Sequence, residues 1–174
     1  DERDKYEKFF KEFGMQLKLG VYNDYGMHKD ELKDLLLFYS SKDEKYITLK
    51  EYVSSMKDDE ENIYYACGEP IDKINMLPQV EKVKDKGYNI LYLTEYVDEF
   101  AIKSLMEYEG KKFVNVSEEN LDLDTEEEKE EIKKINDENK EMLNSMKESI
   151  GSDVSDVRFT HRLKNHPVCL VSEG

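Results

Sequence analysis

Apolar and polar positions change period several times along the chain, and each change marks an element. Over residues 3–19, Tyr6, Phe9, Phe10, Phe13 and Leu17 recur at three- and four-residue spacing with lysine and glutamate between them. That pattern predicts an amphipathic helix. Gly14 interrupts the stripe at a cost of about 1 kcal/mol relative to alanine, so close packing is expected there. Turn chemistry follows at Gly20 and over 23–26; Leu32, Leu35, Leu36 and Tyr39 then predict a second helix, and 40–45 a polar loop. Thr48-Leu49-Lys50-Glu51 fits a capping box, which heads a short helix burying Leu49, Tyr52, Val53 and Met56.

The period then changes. Ile63-Tyr64-Tyr65-Ala66-Cys67 is a continuous apolar run broken by Gly68-Glu69-Pro70. A helical segment with Pro78, Val80 and Val83 follows, Gly87 stops it, and a second apolar run occupies 88–94. Two such runs joined by a helix read as a βαβ unit with parallel strands and a right-handed crossover. A helix over 97–108, carrying Phe100, Ala101, Leu105 and Tyr108, leads to a third strand over 112–116. The expected class is therefore α/β: a helical section, then a small three-layer α/β/α unit with a short, mainly parallel sheet covered on both faces. Beyond it, Ile132, Ile135, Met142, Leu143, Met146 and Ile150 form the seam of a further helix. Val157, Phe159, His161 and Leu163 alternate with polar residues, a turn follows at 164–167, and 168–171 is apolar again. That predicts a β-hairpin. A helix and a hairpin are too little for a domain. The expected organisation is one unit over 1–121 and the start of a truncated α+β domain over 122–174.

Charge narrows the partners. The 174 residues carry a formal net charge of −15, with 39 % charged against 38 % hydrophobic residues. A surface of that sign disfavours nucleic acid and anionic membranes, and only Arg3, Arg158 and Arg162 supply guanidinium forks. Between Glu118 and Glu148, 13 acidic side chains stand against five lysines. A solvated helix face accounts for this run. A calcium loop at 122–126 is rejected, because the required glycine is missing and Lys133 stands where the twelfth-position glutamate belongs. No apolar run reaches the ~20 residues of a membrane span, and the opening Asp-Glu-Arg-Asp already lies in a helical pattern, so no leader is expected. Cys67 and Cys169, far apart and each in an apolar run, read as buried thiols of a reducing, cytoplasmic compartment.

Candidate chemistry is sparse. Neither a G-x-G-x-x-G nor a phosphate-binding G-x-x-x-x-G-K-[ST] loop occurs. Cys67 ends the first strand of the α/β unit, a place where nucleophiles occur, yet it has neither a nearby arginine nor a C-x-x-C partner. His161, His166 and Cys169 lack a fourth ligand for zinc, and His28 reads as a surface residue. Phe100, Ile102 and Met106 put more apolar area on one helix than a single stripe buries, so a partner-binding patch is considered there.

Several blocks, in order, carry a resemblance. They are Lys18-Leu19-Gly20, Leu35-Leu36-Leu37-Phe38-Tyr39, Leu49-Lys50-Glu51-Tyr52-Val53-Ser54-Ser55-Met56-Lys57, Ile63-Tyr64-Tyr65 before Gly68-Glu69, Val97-Asp98-Glu99-Phe100 and Glu107-Tyr108-Glu109-Gly110-Lys111. Val157-Arg158-Phe159-Thr160-His161-Arg162-Leu163 matches the bacterial branch. Together they resemble the heat-shock protein 90 chaperone family over nearly the whole chain. The resemblance implies a fragment of an ATP-dependent homodimeric chaperone: the later middle domain over 1–121 and the start of the C-terminal domain over 122–174. It implies that ATP and magnesium belong to the parent and are bound outside this fragment, which has no catalytic site of its own. Implied partners are unfolded or partly folded clients and co-chaperones, with no nucleic acid and no membrane, and the fragment alone is expected to be monomeric or weakly associating. The family's client-contacting stretch maps onto Asp98, Glu99 and Phe100, with Lys103 one turn on. This chain has phenylalanine and lysine where bacterial relatives carry tryptophan and asparagine. Two other readings remain open: an independent small α/β enzyme using Cys67, and an acidic interaction module over 118–131.

Overall fold

The structure, a computed structural model, describes residues 2–118, 121, 123–161, 163, 165 and 167–171. Helix α1 (Glu2–Tyr22) opens the chain and runs into a 3₁₀ turn (Asn23–Gly26) and the short helix α2 (Lys29–Leu32). Its stripe buries Phe10, Gly14, Lys18 and Val21. Gly14 is the close approach expected from the pattern: a Cβ there would stand 2.7 Å from the Phe10 ring.

Among the described residues, six strands follow in the order β2-β1-β4-β3-β6-β5 across one sheet: β1 (Leu37–Ser40), β2 (Tyr46–Thr48), β3 (Ile63–Cys67), β4 (Ile90–Leu93), β5 (Glu107–Tyr108) and β6 (Lys111–Asn115). The βαβ unit is present: β3 pairs in parallel with β4, Tyr65 opposite Leu91, and with β6, Tyr64 opposite Val114. The sheet as a whole is mixed rather than mainly parallel. β1 joins β4 antiparallel, β2 joins β1 antiparallel, and β5 turns back on β6 at the other edge.

β1 occupies residues expected to be helical. Leu36, Leu37 and Phe38 are all buried because an interior strand is covered on both faces. A five-residue apolar run fits either period, and pairing with β2 and β4 decides for the strand.

Side-chain alternation divides the core in two. Ile63, Tyr65, Leu91 and Leu93 face a layer made by α1, α3 (Leu49–Ser54) and α6 (Tyr96–Leu105), together with Val21, Tyr52, Ala101 and Ile102. Tyr64, Ala66, Ile90 and Tyr92 face α4 (Ile71–Asn75) and α5 (Pro78–Asp85) through Ile74, Val80 and Val83. This is the three-layer unit. The capping box of α3 forms as its sequence predicts: the Glu51 amide donates to the Thr48 hydroxyl at 3.1 Å, and the Thr48 amide donates to the Glu51 carboxylate at 2.7 Å.

The acidic segment is two helices, α7 (Glu126–Glu138) and α8 (Lys140–Ile150), separated at Asn139. Leu121 and Leu123, ahead of α7, pack into the second core, so the expected boundary at 121–122 lies beside buried residues. Of the seam, Leu143 is buried while Met142, Met146 and Ile150 are exposed. Among the described residues the expected C-terminal hairpin is not seen: 157–160 and 168–171 carry no strand. They are tied to helices instead. Asn136 of α7 accepts from the Phe159 amide at 2.8 Å, and Gln79 of α5 donates to the Leu170 carbonyl at 2.6 Å. Arg162, Lys164, His166 and 172–174 lie outside the described residues. Among the described residues, no helix is long and apolar enough to cross a membrane.

Candidate functional site

Helix α6 carries the four residues proposed from sequence and lies along the C-terminal half of α1. Its inner face, Val97, Ala101, Ile102 and Leu105, is buried at helical spacing against the sheet. Its outer line, Tyr96, Phe100 and Lys103, points away from that core. The N-terminus is capped reciprocally: the Asp98 amide is in the capping box of Glu95, and the Glu95 amide donates to the Asp98 carboxylate at 3.0 Å.

Asp98 is not a surface residue. Its side chain is 4 % exposed and forms an ion pair with Lys18 of α1, equally buried at 4 %. The Lys18 ammonium also reaches the Glu95 carboxylate at 2.8 Å and stands 5.3 and 5.6 Å from the ring centroids of Phe10 and Phe38. Burial opposes its charge, but the Asp98 and Glu95 carboxylates prevail and hold the ammonium above its ordinary pKa. Burial lifts the Asp98 carboxyl above the usual range, against the opposing pull of Lys18 and the Glu95 amide. Further along the pair, the Ser104 hydroxyl donates to the Val21 carbonyl at 3.0 Å. The two helices are thus joined at both ends of their contact.

Between those joints sits an exposed aromatic cluster. Phe100 is 46 % exposed, Tyr22 51 % and Tyr96 71 %. The Phe100 ring lies 5.4 Å from Tyr22 and 6.0 Å from Tyr96, the latter edge-on at 79°. Glu99 and Lys103 flank it as an ion pair of 3.0 Å. Of the apolar residues that suggested a patch, Phe100 and Met106 are exposed and Ile102 is buried. Tyr22 and Tyr96 were not singled out from sequence; Tyr96 lies four residues before Phe100 and could have been found by spacing, whereas Tyr22 comes from another helix.

Cys67 ends β3 beneath this helix. Burial first, then the Glu99 and Asp98 carboxylates, push its thiol up to about 12, which leaves it protonated at neutral pH and a poor nucleophile. Cys169 is half-buried, and His166 lies outside the described residues. Among the described residues no three His, Cys, Asp or Glu side chains gather as metal ligands. A polar pocket of about 150 Å³ opens at the amino ends of the parallel strands, beside Asp59, Glu61, Lys86 and Asp124. Nucleotide crevices of such sheets lie at the opposite, carboxyl ends. The acidic segment is partly neutralised within the fold: Lys82 of α5 pairs with Asp124 and lies 3.9 Å from Glu128, and Lys129 pairs with Glu126 at 2.8 Å.

Comparison with known proteins bears on these features together. A sequence profile of the family described as Hsp90 protein matches residues 1–174. Chaperone protein HtpG of Clostridium perfringens is 56 % identical over 174 residues, which is all of this chain and 27 % of that protein. Chaperone protein HtpG of Oceanobacillus iheyensis is 56 % identical over 174 residues, again all of this chain and 28 % of that protein. Among solved structures, the middle domain of a Plasmodium falciparum heat shock protein superposes with a TM-score of 0.62 at 36 % identity, covering 66 % of this chain and 48 % of that one. The chain thus spans little more than a quarter of the length of these HtpG relatives. The match over all 174 residues, the identity to bacterial HtpG and the likeness to a middle domain agree: the chain belongs to the Hsp90 chaperone family.

Proposed function

We propose that this chain is a non-catalytic part of an ATP-dependent chaperone, the part that meets partly unfolded client proteins and passes that contact to the segment following it. One observation carries the reading: the exposed Tyr22–Phe100–Tyr96 cluster on a helix pair otherwise fixed by buried contacts. Aromatic side chains on a rigid support supply affinity at low entropic cost, and a charged surround limits self-association. Phe100 is the apolar anchor, Glu99 and Lys103 form its polar rim, and Asp98 acts from beneath through Lys18.

The coupling half of the proposal rests on α5. Gln79 holds the Leu170 carbonyl, Glu81 accepts from Asn165 at 3.1 and 3.2 Å, and Lys82 pairs with Asp124. These contacts run from the α/β unit, taken as 1–121, to the residues taken as the start of the next domain, 122–174. ATP and magnesium belong to the parent protein and bind outside this chain. The parent is taken to be a cytoplasmic homodimer that also meets co-chaperones.

The test is Phe100→Ala in the full-length protein. Removing a central aromatic anchor typically costs more than about 1 kcal/mol, so affinity for a partly unfolded client should fall at least about fivefold, and client-stimulated ATP turnover should fall with it. Unchanged affinity and turnover would refute the reading.

A further inference from the structure

Helix α1 already shows what this fold does with a cation. The Lys18 ammonium lies between the Phe10 and Phe38 rings with two carboxylates, Asp98 and Glu95, behind it. Elsewhere Lys57 stands 5.8 Å from the Tyr88 ring and Lys84 5.7 Å from that of Tyr92. Toward the surface, beside the buried cage, aromatic rings and carboxylates recur, and among the described residues no ammonium or guanidinium stands over the rings of Tyr22, Phe100 or Tyr96. Tyr22, Phe100 and Tyr96 are exposed and in ring contact with one another through Phe100, and Glu99 stands one residue before Phe100 on the same helix. Around α6 stand the carboxylates of Glu95, Asp98, Glu99 and Glu118 together with the ammonium groups of Lys18 and Lys103, and Lys29 lies near the Ser104 end. Lys18 is buried among two of those carboxylates, and Lys103, 62 % exposed, pairs with Glu99 at the outer rim.

We propose that the Tyr22–Phe100–Tyr96 cluster takes a cationic side chain, arginine in preference to lysine, from an unfolded segment whose neighbouring residues are apolar. The inference rests on the client-binding reading above and narrows its partner to basic, apolar segments. The electron-rich face of an aromatic ring attracts a cation. A guanidinium is planar and weakly hydrated, so it stacks on a ring while its fork meets the Glu99 carboxylate in a way an ammonium cannot. The apolar neighbours cover the remaining ring area. A net charge of −15 raises the local concentration of such segments over acidic ones. Lys103, paired with Glu99, competes for that carboxylate and sets a limit on affinity.

A short unstructured fluorescent peptide with two arginines amid leucines, titrated into the full-length protein by fluorescence anisotropy, provides the test. Its control replaces each arginine by citrulline, which keeps the shape and removes the charge. The arginine peptide is expected to bind about fivefold more tightly at low salt, equivalent to about 1 kcal/mol. The ratio should shrink at high ionic strength and on Glu99→Gln, while Lys103→Gln should tighten the arginine peptide alone. Phe100→Ala should weaken both peptides. Equal binding of the two peptides, with Phe100→Ala still weakening both, overturns the preference for a cation and leaves the client-binding reading standing. Binding of both peptides unaffected by Phe100→Ala removes that reading and this inference with it.

Discussion

Lys18 and Asp98 are the residues on which the proposed surface depends. Each has a 4 % exposed side chain; without Lys18, Asp98 would be a buried carboxylate with no counter-ion, whereas Lys18 without Asp98 would keep only the half-exposed Glu95. Breaking such a pair from one side typically costs about 3–5 kcal/mol. Lys18→Met should therefore lower the unfolding free energy by about that much, and the double variant Lys18→Met/Asp98→Leu should recover most of the loss. A single variant costing under about 1 kcal/mol in chemical denaturation would contradict the pairing. The tyrosines give a second signature. Burial raises Tyr52 and Tyr65, raises Tyr88 to about 12 with help from Asp59, and raises Tyr108 with help from Asp34. Each therefore holds its proton more tightly folded than unfolded. Their contribution is complete below the unfolded tyrosine value of about 10 and is lost as pH rises through the folded values. Lys18, also raised, acts in the same direction. Stability measured by denaturation should fall steadily from pH 10 upward, with part of the phenolate absorbance appearing only on unfolding; a flat profile to pH 12 would contradict these environments. Cys67, with its thiol pushed up to about 12, should react with a thiol reagent far more slowly in the folded protein than in denaturant. A folded-state rate equal to that of an unfolded thiol would revive it as a nucleophile.

Among the elements, α5 is the one whose ends decide the most. It closes with Gly87 at φ +71°: the Gly87 amide donates to the Lys84 carbonyl at 2.8 Å and the Tyr88 amide to the Val83 carbonyl at 3.2 Å. That six-to-one closure needs a left-handed residue, and a Cβ would also stand 2.6 Å from the Lys57 ammonium. Gly87→Ala should cost about 1 kcal/mol or more, visible as a lower denaturation midpoint; an unchanged midpoint would show that the turn does not constrain the chain. Elements with local signals were legible in advance. Thr48 and Glu51 announced the α3 capping box, Gly87 the end of α5, and the run at 63–67 a strand covered on both faces. Where the outcome depends on distant partners, local pattern did not suffice. Leu35–Tyr39 satisfies two periods, and only β2 and β4 make it a strand. The alternation at 157–163 reads as a strand, yet Phe159 in that stretch exchanges hydrogen bonds with the Asn136 side chain of α7.

For the whole molecule, two helices packed on one sheet face turn a buried ion pair into a support for an exposed surface. The candidate site was half legible. Phe100 stood out because its helix carries more apolar area than one face can bury, and Asp98, Glu99 and Lys103 came with the family resemblance. That Asp98 lies under the surface was not legible, because its partner Lys18 sits on a different helix and looks like any lysine of an amphipathic stripe. Tyr22 was invisible for the same reason. The central claim, that unfolded chains contact this aromatic surface, is tested most directly by photo-crosslinking from a benzoylphenylalanine placed at position 96. That position is 71 % exposed at the edge of the cluster, and Met76, comparably exposed on α4's side of the sheet, serves as the control. The expected result is a crosslink to a partly unfolded client from position 96, competed by unlabelled client, with little from position 76. Equal yields from both positions, or none from position 96, would contradict the claim.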